Sequence, residues 1–264
     1  MLKKLLKYDL KWLMKIITIF LTIGLGLSVV GRLMDFLPDS LFFTVIIKIV
    51  KGAALSLIIT GLANCIIRSW VRFIINLYND EGYLTHTLPV EKKTIFLSKT
   101  ISSFISVLVS IVVLFIGLII MYYNKNTMAM LKEYLNALSN TLDISVVLFI
   151  ITVLLVVLLE IFFLIMVGYL GILIGYSYNQ NKLLKSLVTS VLIYSIGSVI
   201  SICLLLVVGL FNEGFKNIFF GGSGEIQFEL LKVIMLIPIA IYAIYIVLLY
   251  YLSVKKFEKG VNID

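Results

Sequence analysis

RSWVRFIINLYNDEGYLTHTLPVEKK, Arg68 to Lys93, is a compact polar island between two long apolar runs, and its position decides how the rest of the chain is read. The runs flanking it cover about 41–67 and 95–122. Each is long enough to cross a bilayer, whose hydrocarbon core of roughly 30 Å takes about 20 helical residues. Further out, four more such runs occur at about 16–33, 144–176, 187–211 and 233–254. Across 264 residues the composition is 61% hydrophobic and 14% charged, with a mean hydropathy of +1.14. Soluble domains are far less apolar. The runs are too long for barrel strands and lack their strict alternation, and in lipid only a helix satisfies its own backbone hydrogen bonds. The expected fold is all-α: a polytopic membrane protein whose six transmembrane helices form one domain over 1–264.

Counting Lys and Arg fixes the expected orientation. With both termini in the cytoplasm, fifteen of the 22 basic residues fall on the inner side and seven on the outer. That bias agrees with the positive-inside rule and with a multi-pass protein of the cell membrane. The net charge of +8 is accounted for by this topology and an anionic inner leaflet, without nucleic acid. The first run is too long for a cleavable signal and has no small-x-small site near Gly31. Cys65 and Cys203 lie within or at the ends of runs and imply neither a disulfide framework nor a metal site.

Before the first run, MLKKLLKYDLKWLMK (1–15) puts Leu2, Leu5, Leu6, Leu10 and Leu13 on one helical side and Lys4, Lys7, Lys11 and Lys15 on the other. This reads as an amphipathic helix lying in the inner interface, with Asp9 intruding on its apolar side. Within the island, Arg68, Arg72, Asn76 and Asn79 form a polar stripe opposite Trp70, Phe73, Ile74, Leu77 and Tyr78. The pattern predicts a second amphipathic helix, ended near Asp80, Glu81 and Gly82 because glycine supplies a left-handed turn. A short extended piece, Tyr83 to Thr87, should follow, and Pro89 and Glu91 suit the first turn of the next helix. An interaction role and a helix that floats at the interface both remain open on spacing alone.

The segment DEGYLTHTLPVEKKTIFLSK, Asp80 to Lys99, resembles a signature of permease subunits of bacterial type 2 ABC exporters. There an acidic-Gly-Tyr-Leu segment and a Leu-Pro precede a Ser-Lys at the start of the third span. The layout of amphipathic N-terminal helix, six spans and inner termini is similar as well. The resemblance implies that the cytoplasmic region 68–93 carries a coupling helix that docks on a separate ATPase subunit. Asp80, Glu81, Gly82, Tyr83, Leu84, Leu88 and Pro89 are the matching positions, with Arg72, Asn76 and Asn79 on the helix before them. His86 departs from the pattern and receives no role. The resemblance further implies two ATPase subunits, a second permease copy or paralogue, and ATP with Mg on the partner. Its implied cargo is an amphipathic or antimicrobial peptide, for export or immunity, with a lipid or hydrophobic drug as the other choice.

The chain has no G-x-x-x-x-G-K-[ST] phosphate cradle, so ATP hydrolysis is expected on another polypeptide, and no catalytic constellation or cofactor site is expected here. The glycines of FFGGSGEIQ, Gly221, Gly222 and Gly224, read as a flexible outer turn. Glu160, deep in the fourth run, is either hydrogen-bonded by neighbouring helices or lines the translocation path. Lys48 and Lys51, one helical turn apart, either snorkel to the outer headgroups or line an outward vestibule. Met128, Leu131, Leu135 and Leu138 predict a helix on the outer surface. A membrane interaction or regulatory protein, or a small ion-coupled carrier, is the alternative class. The scarcity of buried ionisable residues and of helix breaks, with Pro238 the one proline inside a run, weighs against the carrier.

Overall fold

A computed structural model describes residues 1–38, 40–142, 144–211 and 228–260. Among these the chain forms eight helices: α1 (Leu2–Met34), α2 (Leu41–Leu77), α3 (Asp80–Thr87), α4 (Lys92–Tyr122), α5 (Lys125–Leu142), α6 (Val146–Gly175), α7 (Lys182–Leu210) and α8 (Phe228–Glu258). Six of them are long and apolar enough to cross a membrane: α1, α2, α4, α6 and parts of α7 and α8. Each holds one of the six apolar runs, which marks an all-helical, multi-pass membrane protein.

Three boundaries differ from the sequence reading. The basic tail is no separate interfacial helix but the first turns of α1, which runs unbroken from Leu2 to Met34. One buried stripe, Asp9, Leu13, Ile17, Leu21, Gly24, Ser28 and Gly31, continues through tail and span at helical spacing. No proline interrupts it, and a change of polarity alone does not end a helix. For the same reason residues 68–77 are the last turns of α2, not a free-standing amphipathic helix.

The break comes at Tyr78 and Asn79, and the segment expected to be extended is the short helix α3. Gly82 therefore lies inside α3 rather than at a left-handed turn. Its lack of a side chain serves close approach, since a Cβ there would lie 2.8 Å from the Leu77 carbonyl oxygen. The helix expected around Met128 to Leu138 is present as α5. The glycines at 221, 222 and 224 and the aromatics at 215, 219 and 220 lie outside the described residues.

The chain divides into two compact units, Met1–Met128 with Phe257–Asp264, and Ala129–Lys256. In the first, α1, α2 and α4 pack pairwise and α3 packs on α2. The contact faces carry small residues, Ala54, Gly61 and Cys65 on α2 and Ser102, Ser103, Ser106 and Ser110 on α4, which lets helices approach closely where lipid gives no hydrophobic drive. Ile58 fills the space left by Gly24 of α1 and Gly117 of α4; a Cβ on either would sit 2.6 Å from it. In the second unit α6 packs on α7. Phe163 gathers Tyr194, Tyr242 and Tyr245 at centroid distances of 5.5 to 6.0 Å.

Candidate functional site

The N-terminal end of α1, the C-terminal end of α2, α3 and the first turns of α4 converge on one buried carboxylate. Asp9 is 2% exposed. Burying a lone carboxylate costs several kcal/mol, so its partners decide whether the site is tenable. Lys99 Nζ donates to Oδ1, Arg72 Nε donates to the same oxygen at 3.2 Å, and Ser98 Oγ donates to Oδ2 at 2.9 Å. Lys99 is 3% exposed and Arg72 9%. The Arg72 guanidinium also donates through Nη1 to Glu81 Oε2 at 2.7 Å, and that oxygen accepts from Asn76 Nδ2 at 2.9 Å. Two carboxylates thus meet two cations, and the network is neutral.

Trp12, one turn after Asp9, completes the site. Its ring lies 4.1 Å from the Arg68 guanidinium and 5.4 Å from that of Arg72. Arg68 also donates to the carbonyls of Trp12 at 2.8 Å and Leu13 at 3.2 Å. The tail is therefore clamped to α2 at Asp9 and again one turn later at Trp12 and Leu13.

The residues singled out from the sequence split into two sets. Arg72, from the polar stripe, turns inward to Asp9, and Asn76 and Glu81 join it through the Glu81 carboxylate oxygen. Thr85 follows Glu81 by one turn, is buried, and donates to the Glu81 carbonyl at 2.9 Å. The opposite side of α3 presents Tyr83 at 62% exposure, Leu84 at 72% and, at its C-cap, Leu88 at 43%. Asn79 and Pro89 are exposed beside them. Asp80 opens α3, and its side chain is outside the described set. The short helix is thus pinned by one face and shows an apolar tip on the other.

His86 and Phe257 secure the far end of α3. The Leu77 carbonyl lies 3.2 Å from His86 Nε2, so that nitrogen carries the proton. The ring sits 5.9 Å from Phe257, which packs in turn on Phe96. Burial pulls the His86 pKa below its ordinary value, the Leu77 hydrogen bond opposes that, and the charge of Lys92 adds to the fall. The imidazole that received no role in the sequence is a neutral structural latch.

The other predicted positions lie elsewhere. Glu160 of α6 is half-buried, within electrostatic reach of Tyr242 on α8. Lys48 and Lys51 line a cavity near the start of α2. Sequence reasoning missed Lys99, Ser98 and Trp12 as site members and treated Asp9 as a blemish. The available signal was an acid on an apolar stripe and a lysine just inside a span. Among the described residues no group of His, Cys, Asp and Glu is arranged to hold a metal ion. No protein-family model, no curated protein and no solved structure matches this chain.

Proposed function

We propose that this chain is the permease subunit of an ATP-driven exporter of the bacterial type 2 ABC class, and that α3 is where a separate ATPase subunit docks. The observation that carries this reading is the double character of α3. Its exposed face, Tyr83, Leu84 and Leu88, offers an aromatic and aliphatic anchor of the kind that dominates protein interfaces. Its other face holds the half-exposed Glu81, which joins through Arg72 to Asp9 and from there to Lys99. A displacement of α3 by the ATPase acts on α2 directly and on α1 and α4 through the shared carboxylate. The six apolar helices and the lack of a nucleotide-binding motif support an external motor.

In this reading the complex holds two ATPase subunits, which bind ATP and Mg, and a second permease copy or paralogue. The permease lies in the cell membrane with both termini and α3 cytoplasmic. The cargo is an amphipathic or antimicrobial peptide, and Glu160 lines its path. The test is co-purification of the tagged chain with an ATPase encoded beside it that carries Walker A and signature motifs. Tyr83→Ala with Leu84→Ser should weaken binding at least about tenfold, the loss expected for removing an interface anchor. Its melting temperature should stay put, because both side chains are exposed. Failure of the wild-type chain to retain such an ATPase, or undiminished binding by the double variant, overturns the proposal.

A further inference from the structure

At the opposite end of α1 from Asp9, a second set of charges surrounds open space. Arg32 lies 23 positions after Asp9 on the unbroken helix, about 35 Å at helical rise. That is close to the roughly 30 Å hydrocarbon thickness of a bilayer. With the Asp9 network at one face, Arg32 and its neighbours stand at headgroup level on the other.

Two cavities, of about 540 and 370 Å³, share Asp35, Lys51 and Tyr122 as walls. Lys48 lines the larger and Arg32 the smaller. Lys51 Nζ donates to both oxygens of Asp35, at 2.7 and 2.8 Å, and lies 5.5 Å from the Tyr122 ring centre. Arg32 reaches the same carboxylate through one long contact of 3.4 Å, leaving most of its five donors available. Lys48 stands one helical turn before Lys51 and makes no ion pair among the described residues. Among the described residues, three cations and one carboxylate therefore line two cavities that share a wall, each large enough for a headgroup. Phe36, Leu37, Leu41 and Phe42 are exposed beside it, as an acyl-contacting rim requires.

The geometry points to a binding site for a phosphate group of net negative charge along the wall the two cavities share, beside the Asp35–Lys51 pair, with Lys48 on one side and Arg32 on the other. Two sources share that chemistry, an anionic phospholipid headgroup and a free phosphate. The site belongs to the first unit and stands whether or not an ATPase docks on α3. A bare snorkelling lysine needs neither a cavity nor a second cation converging on it. Asp35 serves as an occupant of the site when the phosphate is absent, and it competes with the phosphate for Lys51.

The experiment uses the full chain, purified and stripped of lipid in detergent, with binding read by native mass spectrometry. Phosphatidylglycerol should bind at least about fivefold more tightly than phosphatidylcholine. Lys48→Gln and Arg32→Gln should each lower phosphatidylglycerol affinity about fivefold at unchanged melting temperature. Asp35→Asn should raise it, which a purely structural Asp35–Lys51 pair would not do. Inorganic phosphate at millimolar concentration identifies the source: displacement of the lipid assigns a soluble phosphate, and persistence assigns the headgroup. Equal binding of the two lipids, or phosphatidylglycerol affinity untouched by both cation substitutions, overturns the site.

Discussion

Asp9→Asn is the sharpest probe of the buried network, because it removes one charge while keeping the shape of the side chain. The asparagine keeps one acceptor oxygen, for Ser98 or for a cation, but Lys99 loses the carboxylate to which it donates. Lys99 and Asp9 have side chains only 4% and 3% exposed, so water cannot enter to replace it. Removing one partner of a buried pair costs about 3–5 kcal/mol. An ordinary lysine can escape by shedding its proton, at about 4.6 kcal/mol at pH 7, which caps the loss near the top of that range. Arg72 is cushioned, because Glu81 remains at 2.7 Å. Glu81→Gln supplies the contrast: its side chain is 45% exposed, and the loss should stay within about 1 kcal/mol. Equilibrium unfolding of the purified chain in mixed micelles, followed by circular dichroism, measures both. The double variant Asp9→Asn with Lys99→Met should recover at least about 2 kcal/mol relative to the sum of the single losses. Strict additivity, or an Asp9→Asn loss no larger than that of Glu81→Gln, would refute the claim that Asp9 is the electrostatic centre.

Three further outcomes follow. His86 is harder to protonate in the folded chain than its ordinary value of 6.5, so its contribution is fully present above that pH and is lost as pH falls through the folded value. Melting temperature should drop more between pH 8 and pH 5.5 for wild type than for His86→Gln, and parallel curves would remove His86 as the latch. Gly24→Leu should destabilise by about 1–3 kcal/mol through overlap with Ile58 and the Ala54 carbonyl, and Ile58→Ala should relieve part of it; a neutral Gly24→Leu in the same unfolding assay contradicts the packing. Under the exporter proposal, Glu160→Gln should cut export and cargo-stimulated ATP hydrolysis at least about tenfold, and unchanged rates take Glu160 off the path.

The six spans were legible because hydropathy is a local property: twenty neighbouring apolar residues state their solvent without reference to the rest of the chain. Helix ends were less so. Nothing in 1–15 or 68–77 stops a helix, and an alternation of charge with leucine looks alike whether the polar stripe meets water or another helix. Tyr83, Leu84 and Leu88, singled out by the resemblance, are exposed, but the pattern of Tyr83 to Thr87 reads as extended where the chain forms α3. Glycine at position 82 looked like a helix end when it was a point of contact with Leu77. The inward turn of Arg72 was beyond any local pattern, since its partner Asp9 lies 63 positions away and Lys99 lies 90 from Asp9.

One non-local rule would nevertheless have found that network. A charge on the apolar stripe of a membrane helix demands an opposite charge at the same depth, because no solvent is present to neutralise it. In antiparallel spans depth can be counted from the sequence. Asp9 lies seven residues before the first apolar run, Arg72 five after the second, and Lys99 four inside the third, all at one end of the bundle. Applied to the other end, the same count groups Arg32, Asp35, Asp39, Lys48 and Lys51, where cations outnumber acids three to two. With Glu81 added, two acids meet the two cations of the first group, and it serves as a joint. The second is left with excess positive charge, and a surplus facing a cavity is what separates a ligand site from an internal clasp.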